Sequence, residues 1–122
     1  MVQAPRAGTR WDVELSDEVV RWYVQLDARE RAFADRALDR LASTGPALRM
    51  PHTRALGDGL HELRLTCEGV SRRVTYAWGE DRTVTMLTTF RKQRGHERHE
   101  VERARSALAR GRPHERDRER IR

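Results

Sequence analysis

The sequence predicts an α+β fold, an antiparallel sheet built from an N-terminal strand and a later three-stranded meander, with an N-terminal helical hairpin and a C-terminal helix. Three observations carry this expectation. Polar and apolar residues alternate in four short runs, apolar residues recur at i, i+3, i+4 and i+7 in two adjacent runs, and the last three strand-like runs are joined by only two and four residues. A chain of 122 residues is long enough for one hydrophobic core and short for two.

The elements follow in order. Residues 1–9 read as an untied arm. From Arg10 to Leu15, Trp11, Val13 and Leu15 alternate with Asp12 and Glu14, the pattern of a strand buried on one face. Ser16 is placed to cap a first helix, with Asp17 and Glu18 in the turn where the helix dipole favours anions. Val19, Trp22, Tyr23 and Leu26 give that helix an apolar stripe. Asp27 caps a second helix, striped by Ala34, Ala37, Leu38 and Leu41 and ended by Gly45 and Pro46. Residues 46–59, with two prolines and Gly57-Asp58-Gly59, read as a loop. Strands are then expected at Leu60–Cys67, Val70–Trp78 and Thr83–Phe90. A last helix is expected from about Glu97 to Ala109, ending near Gly111 and Pro113. The domain therefore spans 1–111, and residues 112–122 form a basic tail with no apolar face that is expected to be disordered.

Charge is distributed unevenly. Residues 91–122 carry 12 Arg or Lys against 6 acids, whereas residues 1–90 balance at 13 against 13. Such asymmetry points to a polyanionic partner. Of the 25 basic residues only Lys92 is a lysine, and the fixed fork of arginine suits bidentate phosphate contact. No run approaches the roughly 18 apolar residues of a membrane span and no apolar h-region follows the N-terminus, so the cytosol is the expected compartment. Cys67 is the single cysteine. Its apolar surroundings favour a buried structural thiol over a nucleophile.

Strand parity puts Arg73 on one face with Thr75 and Ala77, and Val74, Tyr76 and Trp78 on the other. Arg64 likewise opposes Leu63, Leu65 and Cys67, so both arginines are expected on an exposed, ligand-facing side of the sheet. A lone Arg64 would more often pair with Glu62, but two arginines with Arg91 and Lys92 arriving beside them favour a basic groove. His96 and His99 are three apart and lack a third metal ligand. His61 shares the core face with Leu63 and Leu65, and His114 lies in the tail. Gly57-Asp58-Gly59 lacks the spacing of a phosphate-cradling loop, and no nucleophile elbow or paired-acid motif is present.

Four segments in order, Leu56-Gly57-Asp58-Gly59-Leu60-His61-Glu62-Leu63-Arg64, Arg72-Arg73-Val74-Thr75-Tyr76, Leu87-Thr88-Thr89-Phe90-Arg91-Lys92-Gln93 and Glu100-Val101-Glu102-Arg103-Ala104, resemble the RelE/ParE superfamily of bacterial type II toxins, and within it the phage-derived HigB-like branch. The resemblance implies a microbial ribonuclease-type fold that enters the ribosomal aminoacyl site and cuts mRNA by attack of a 2′-hydroxyl on the adjacent phosphate, with no metal or other cofactor. It implies Arg64, Arg73 and Lys92 as catalytic residues, with Arg54, Arg72, Arg91, Arg94 and Arg98 along the RNA path. It also implies a helix-turn-helix antitoxin encoded by an adjacent gene. Several RelE-type enzymes use a C-terminal tyrosine, whereas this chain has only Tyr23 and Tyr76, so His96 or Lys92 is the substitute for acid and base. Two other readings stand beside this one: a ParE-like gyrase inhibitor, and a nucleic-acid-binding module without catalysis.

Overall fold

The computed structural model describes residues 10–121, with side chains for residues 10–111. The untied arm and the side chains of the tail lie outside these. The elements are β1 (Asp12–Leu15), α1 (Asp17–Val24), α2 (Ala28–Thr44), β2 (Thr53–Gly57), β3 (Leu60–Cys67), β4 (Val70–Trp78), β5 (Thr83–Arg91) and α3 (Glu97–Ile121). They form a five-stranded sheet in the order β1-β5-β4-β3-β2.

Both N-terminal helices begin as their caps dictate. The Ser16 hydroxyl accepts from the Val19 amide and donates to the Leu87 carbonyl, so one side chain starts α1 and moors it to β5. Asp27 and Glu30 exchange hydrogen bonds in a capping box at the start of α2. The hairpin buries Val19, Trp22, Ala34, Ala37 and Leu41 against Leu63, Val74, Tyr76, Val84 and Met86 of the sheet. Full burial of each large apolar side chain contributes roughly 1.5–3 kcal/mol, which makes this layer the main source of stability.

Three expectations need correction. Thr53–Gly57 is a strand and not part of a loop: it pairs antiparallel with β3, and Asp58 (φ 56°) and Gly59 (φ 84°) make the two-residue turn between them. The prolines precede the strand, where they take no donor from the ladder. Secondly, β1 pairs with β5 in parallel, Val13 opposite Val84 and Leu15 opposite Met86, so the sheet is not wholly antiparallel. The helical hairpin carries the chain to the far edge, and the meander returns it running alongside β1. Thirdly, α3 continues past Gly111 and Pro113 to Ile121. Arg and Glu are strong helix formers and can hold helical backbone where no apolar stripe exists.

The second face of the sheet is not left open. Val101, Ala104 and Leu108 of α3 pack against Leu60, Ala77 and Leu87. Leu87 reaches that layer because it is the extra residue of a bulge: Thr75 opposes Thr88 while the next residue, Tyr76, opposes Met86. Beyond the bulge the Thr75 and Thr88 hydroxyls meet at 2.6 Å in the interior.

Candidate functional site

Register brings the charged residues together on the α3 side. Arg54 of β2 lies opposite Glu62 of β3, Glu62 opposite Thr75 of β4, and Arg64 opposite Arg73. Side chains at i and i+2 of a strand share a face, so Arg54, Glu62, Arg64 and Arg73 form one cluster. Phe90 stands opposite Arg73 at the end of β5, and the Lys92 amide extends the ladder by donating to Ser71. Gly95 (φ 85°) then turns the exposed chain into α3, whose first residue, Glu97, lies with its carboxylate 3.9 Å from the Lys92 ammonium.

Beside the cluster, β2 and α3 enclose a groove of about 500 Å³ lined by Arg54, Leu56, Glu97, Arg98, Val101 and Arg105. Arg105 donates to the Leu56 and Gly57 carbonyls at 2.7 and 3.0 Å, fastening α3 to the edge strand. On its other side α3 is fastened by Arg103, which joins Glu18, Glu100 and the Thr89 carbonyl. Burial opposes ionisation of Glu18, but hydrogen bonds from Arg103 and the Thr89 amide hold its carboxyl below the usual carboxylate range.

The centre of the cluster is buried, contrary to the expectation of an exposed charged face. Arg73 is 5% exposed and Glu62 is 1% exposed. Their nearest approach is 3.6 Å from Arg73 Nε to Glu62 Oε2, too long for a hydrogen bond. Both Glu62 oxygens and Arg73 Nε lack a hydrogen-bond partner, although Arg73 Nη1 donates to the Arg72 carbonyl. Burial raises the Glu62 carboxyl above its ordinary value, with Arg73, Arg64 and Arg54 pulling the other way. Burial also lowers Arg73, and the Arg64 charge adds to that effect.

The residues expected at the site divide. Arg54 and Arg98 line the groove, Arg64 and Arg73 share the sheet face of Arg54 beside it, and Lys92 pairs with Glu97 of its lining; Arg64 also approaches Met50 Sδ at 3.5 Å. His96 is exposed immediately before α3, its carbonyl accepting from the Glu100 amide. Arg94 is exposed in the turn leading to it. Arg72 lies on the opposite face, its guanidinium over the Trp22 ring and its Nε donating to Thr89 Oγ1. Arg91 pairs with Arg72 and shares that face.

Other candidates for proton transfer are engaged elsewhere. Tyr76 is packed in the helix-side core, its hydroxyl pushed up to about 12 by burial. Tyr23 donates to Asp35 on the helical hairpin. His61 stacks on Tyr76, and burial lowers its pKa. The Cys67 thiol, raised by burial, approaches the Glu30 carbonyl. Among the described residues, no three His, Cys, Asp or Glu are placed to hold a metal ion.

Glu62 is the residue that sequence reasoning passed over, having considered it only as a partner for Arg64. Its parity with Arg64 was visible, whereas its burial depends on α3 crossing this face. Three guanidiniums around a desolvated carboxylate combine phosphate-binding donors with a proton acceptor, the two functions that phosphodiester transfer needs.

Comparison with known proteins agrees with this architecture. The fold is that of E. coli toxin RelE, whose double arginine-to-alanine mutant in the free state superposes with a TM-score of 0.58 at 13% identity, over 83% of this chain and 97% of that one. No curated protein matches the sequence. Among the described residues, no helix is long and apolar enough to cross a membrane. Residues 21–112, three quarters of the chain, match the family model described as phage-derived protein Gp49-like, and the chain belongs to that RelE/HigB-type toxin family.

Proposed function

We propose that this chain is the toxin of a type II toxin–antitoxin pair and that it cuts mRNA in the ribosomal aminoacyl site. The observation that supports this most directly is the convergence of Arg54, Arg64, Arg73 and Lys92 on one face of the sheet beside an open groove. Metal-independent cleavage requires positive donors around a phosphorane whose charge grows in the transition state, a role for which fixed guanidiniums are suited. In this reading Arg64 and Arg73 clamp the scissile phosphate, Lys92 neutralises it from the strand end, and His96 protonates the leaving 5′-oxygen. Arg54 and Arg98 follow the RNA along the groove, and Arg94 meets it at the exposed turn. Residues 1–111 carry the activity in the cytoplasm, and residues 112–122 add attraction only.

Family membership implies an antitoxin, and the proposal extends it to a helix-turn-helix protein from an adjacent gene that supplies the DNA binding. An acidic or amphipathic segment of that protein is the simplest cover for a cationic groove. The test is a translation extract programmed with a defined mRNA. The expected result is cleavage within ribosome-bound message, leaving a 2′,3′-cyclic phosphate and a 5′-hydroxyl. Intact mRNA together with an induced DNA-damage response would overturn it in favour of gyrase inhibition.

A further inference from the structure

Two basic dipeptides lie side by side at one end of the sheet, Arg72-Arg73 in β4 and Arg91-Lys92 at the close of β5. Because successive side chains of a strand point to opposite faces, each dipeptide splits across the sheet. Arg73 and Lys92 go to the groove, and Arg72 and Arg91 go to the helical side. The second pair takes no part in the proposed cleavage chemistry, yet it is placed with equal definition. Arg72 and Arg91 are direct cross-strand partners, a register that sets Cβ atoms about 5 Å apart.

Like charges directly opposite one another destabilise a sheet, and here no acid closes on either of them. Other arginines of the chain do meet acids, Arg103 at Glu18 and Arg29 at Glu68. Glu18 is the carboxylate whose field reaches Arg72, but its two oxygens are taken by Arg103 and the Thr89 amide. Arg72 is also held in place. Its guanidinium lies over the Trp22 ring, 5.2 Å from the centroid, and its Nε donates to Thr89 Oγ1 at 3.2 Å. Those contacts fix the plane of the fork and leave its terminal nitrogens without a hydrogen bond among the described residues. Arg91 is exposed, and its side chain makes no hydrogen bond or ion pair among the described residues. Burial holds Arg72 below the ordinary arginine value and the Arg91 cation adds to that, so an arriving anion would relieve the repulsion between them.

A fork fixed in plane, with a second guanidinium in register beside it, suits the paired oxygens of a phosphodiester. The pair faces away from the groove, so the stretch of message beside Arg64 and Arg73 does not fill it. We infer that Arg72 and Arg91 form a second phosphate site, which holds the backbone of the ribosome's own RNA while message lies in the groove. Backbone contacts of this kind fix orientation and carry no sequence information. The inference rests on the mRNA-cleavage reading above, to which it adds a docking contact separate from the chemistry.

Binding of the full chain to vacant ribosomes, which carry no message, tests the assignment at about 0.05 to 0.3 M salt. The proteins compared are wild type, Arg91→Gln, the double variant Arg72→Gln/Arg91→Gln, and Arg36→Gln, which removes one charge from the exposed side of α2. The double variant should bind about tenfold more weakly at low salt, and its affinity should fall with salt less steeply, the logarithmic slope being smaller by about one. Arg91→Gln should move the same way, and as an exposed substitution it decides the matter if the double variant fails to fold. In cleavage of ribosome-bound message the loss should appear as a higher KM, with kcat within about twofold of wild type. Ribosome binding within twofold of wild type for the double variant, or an equal loss in Arg36→Gln, would overturn the assignment. So would a loss confined to ribosomes loaded with message, because the phosphate would then be the message's own. Unimpaired ribosome binding with lost copurification of the neighbouring gene product would give the pair to that protein and overturn it too. A wild type that binds vacant ribosomes through this pair but leaves message intact would remove the cleavage reading and keep the site.

Discussion

At the scale of single residues, the buried charges separate function from stability. In the proposed mechanism Arg73 stabilises the charge that develops on the phosphorane, so Arg73→Ala should slow cleavage by about 10²-fold or more while the protein stays folded. Full growth arrest by a folded Arg73→Ala protein would remove it from the site. Glu62 makes the opposite contribution to stability. Its folded pKa is raised above the unfolded value near 4.5, so its favourable contribution is complete below that value and is lost as pH rises through the folded pKa. Glu62→Gln should therefore resist urea better than wild type at pH 7.5, with the gap closing toward pH 4. An equal or lower urea midpoint at pH 7.5 would contradict this account of the carboxylate.

At the scale of elements, local signals were legible and pairing was not. Ser16 and Asp27 announced their helices because a cap is decided within four residues. The strands β3, β4 and β5 were legible because apolar residues alternate along them and short turns join them. β2 was not, because an edge strand carrying Thr53, Arg54 and Ala55 has little apolar alternation, and Gly57-Asp58-Gly59 resembles a loop until a partner strand is known. For the same reason the grouping of Arg64 with Arg73 followed from parity, while the burial of Glu62 and Arg73 awaited the position of α3. That position depends on Arg103, which ties α3 to α1 and to β5. Arg103→Met should cost about 1 kcal/mol, the modest value of a partly exposed pair, and should hasten amide exchange in the first turns of α3 more than in α2. Uniform acceleration in both helices would mean that Arg103 acts on the whole fold.

At the scale of the whole molecule, the basic excess lies entirely in residues 91–122, and part of it is in a segment with no apolar stripe. Truncation after Gly111 should weaken ribosome association at low salt, where unscreened charge is felt at about 30 Å in 0.01 M salt and about 8 Å in 0.15 M. The positions of the cuts should not change. A shifted cleavage pattern would mean that the tail takes part in recognition. Co-expression with the neighbouring gene product should relieve growth arrest and yield a complex that copurifies, whereas a folded protein harmless at high expression without that partner would favour the binding module without catalysis.

The bulge at Leu87 also governs which chemistry β5 delivers. Because side chains alternate with period two, its single extra residue sets the phase of everything after it: Phe90 and Lys92 go to the groove side, and Arg91 to the helices. A strand that zipped without the bulge would exchange Arg91 and Lys92 across the sheet while changing no residue and little of the hydrogen-bonded ladder. The side to which the basic pair is delivered is thus decided at Leu87, four residues before the first of the two.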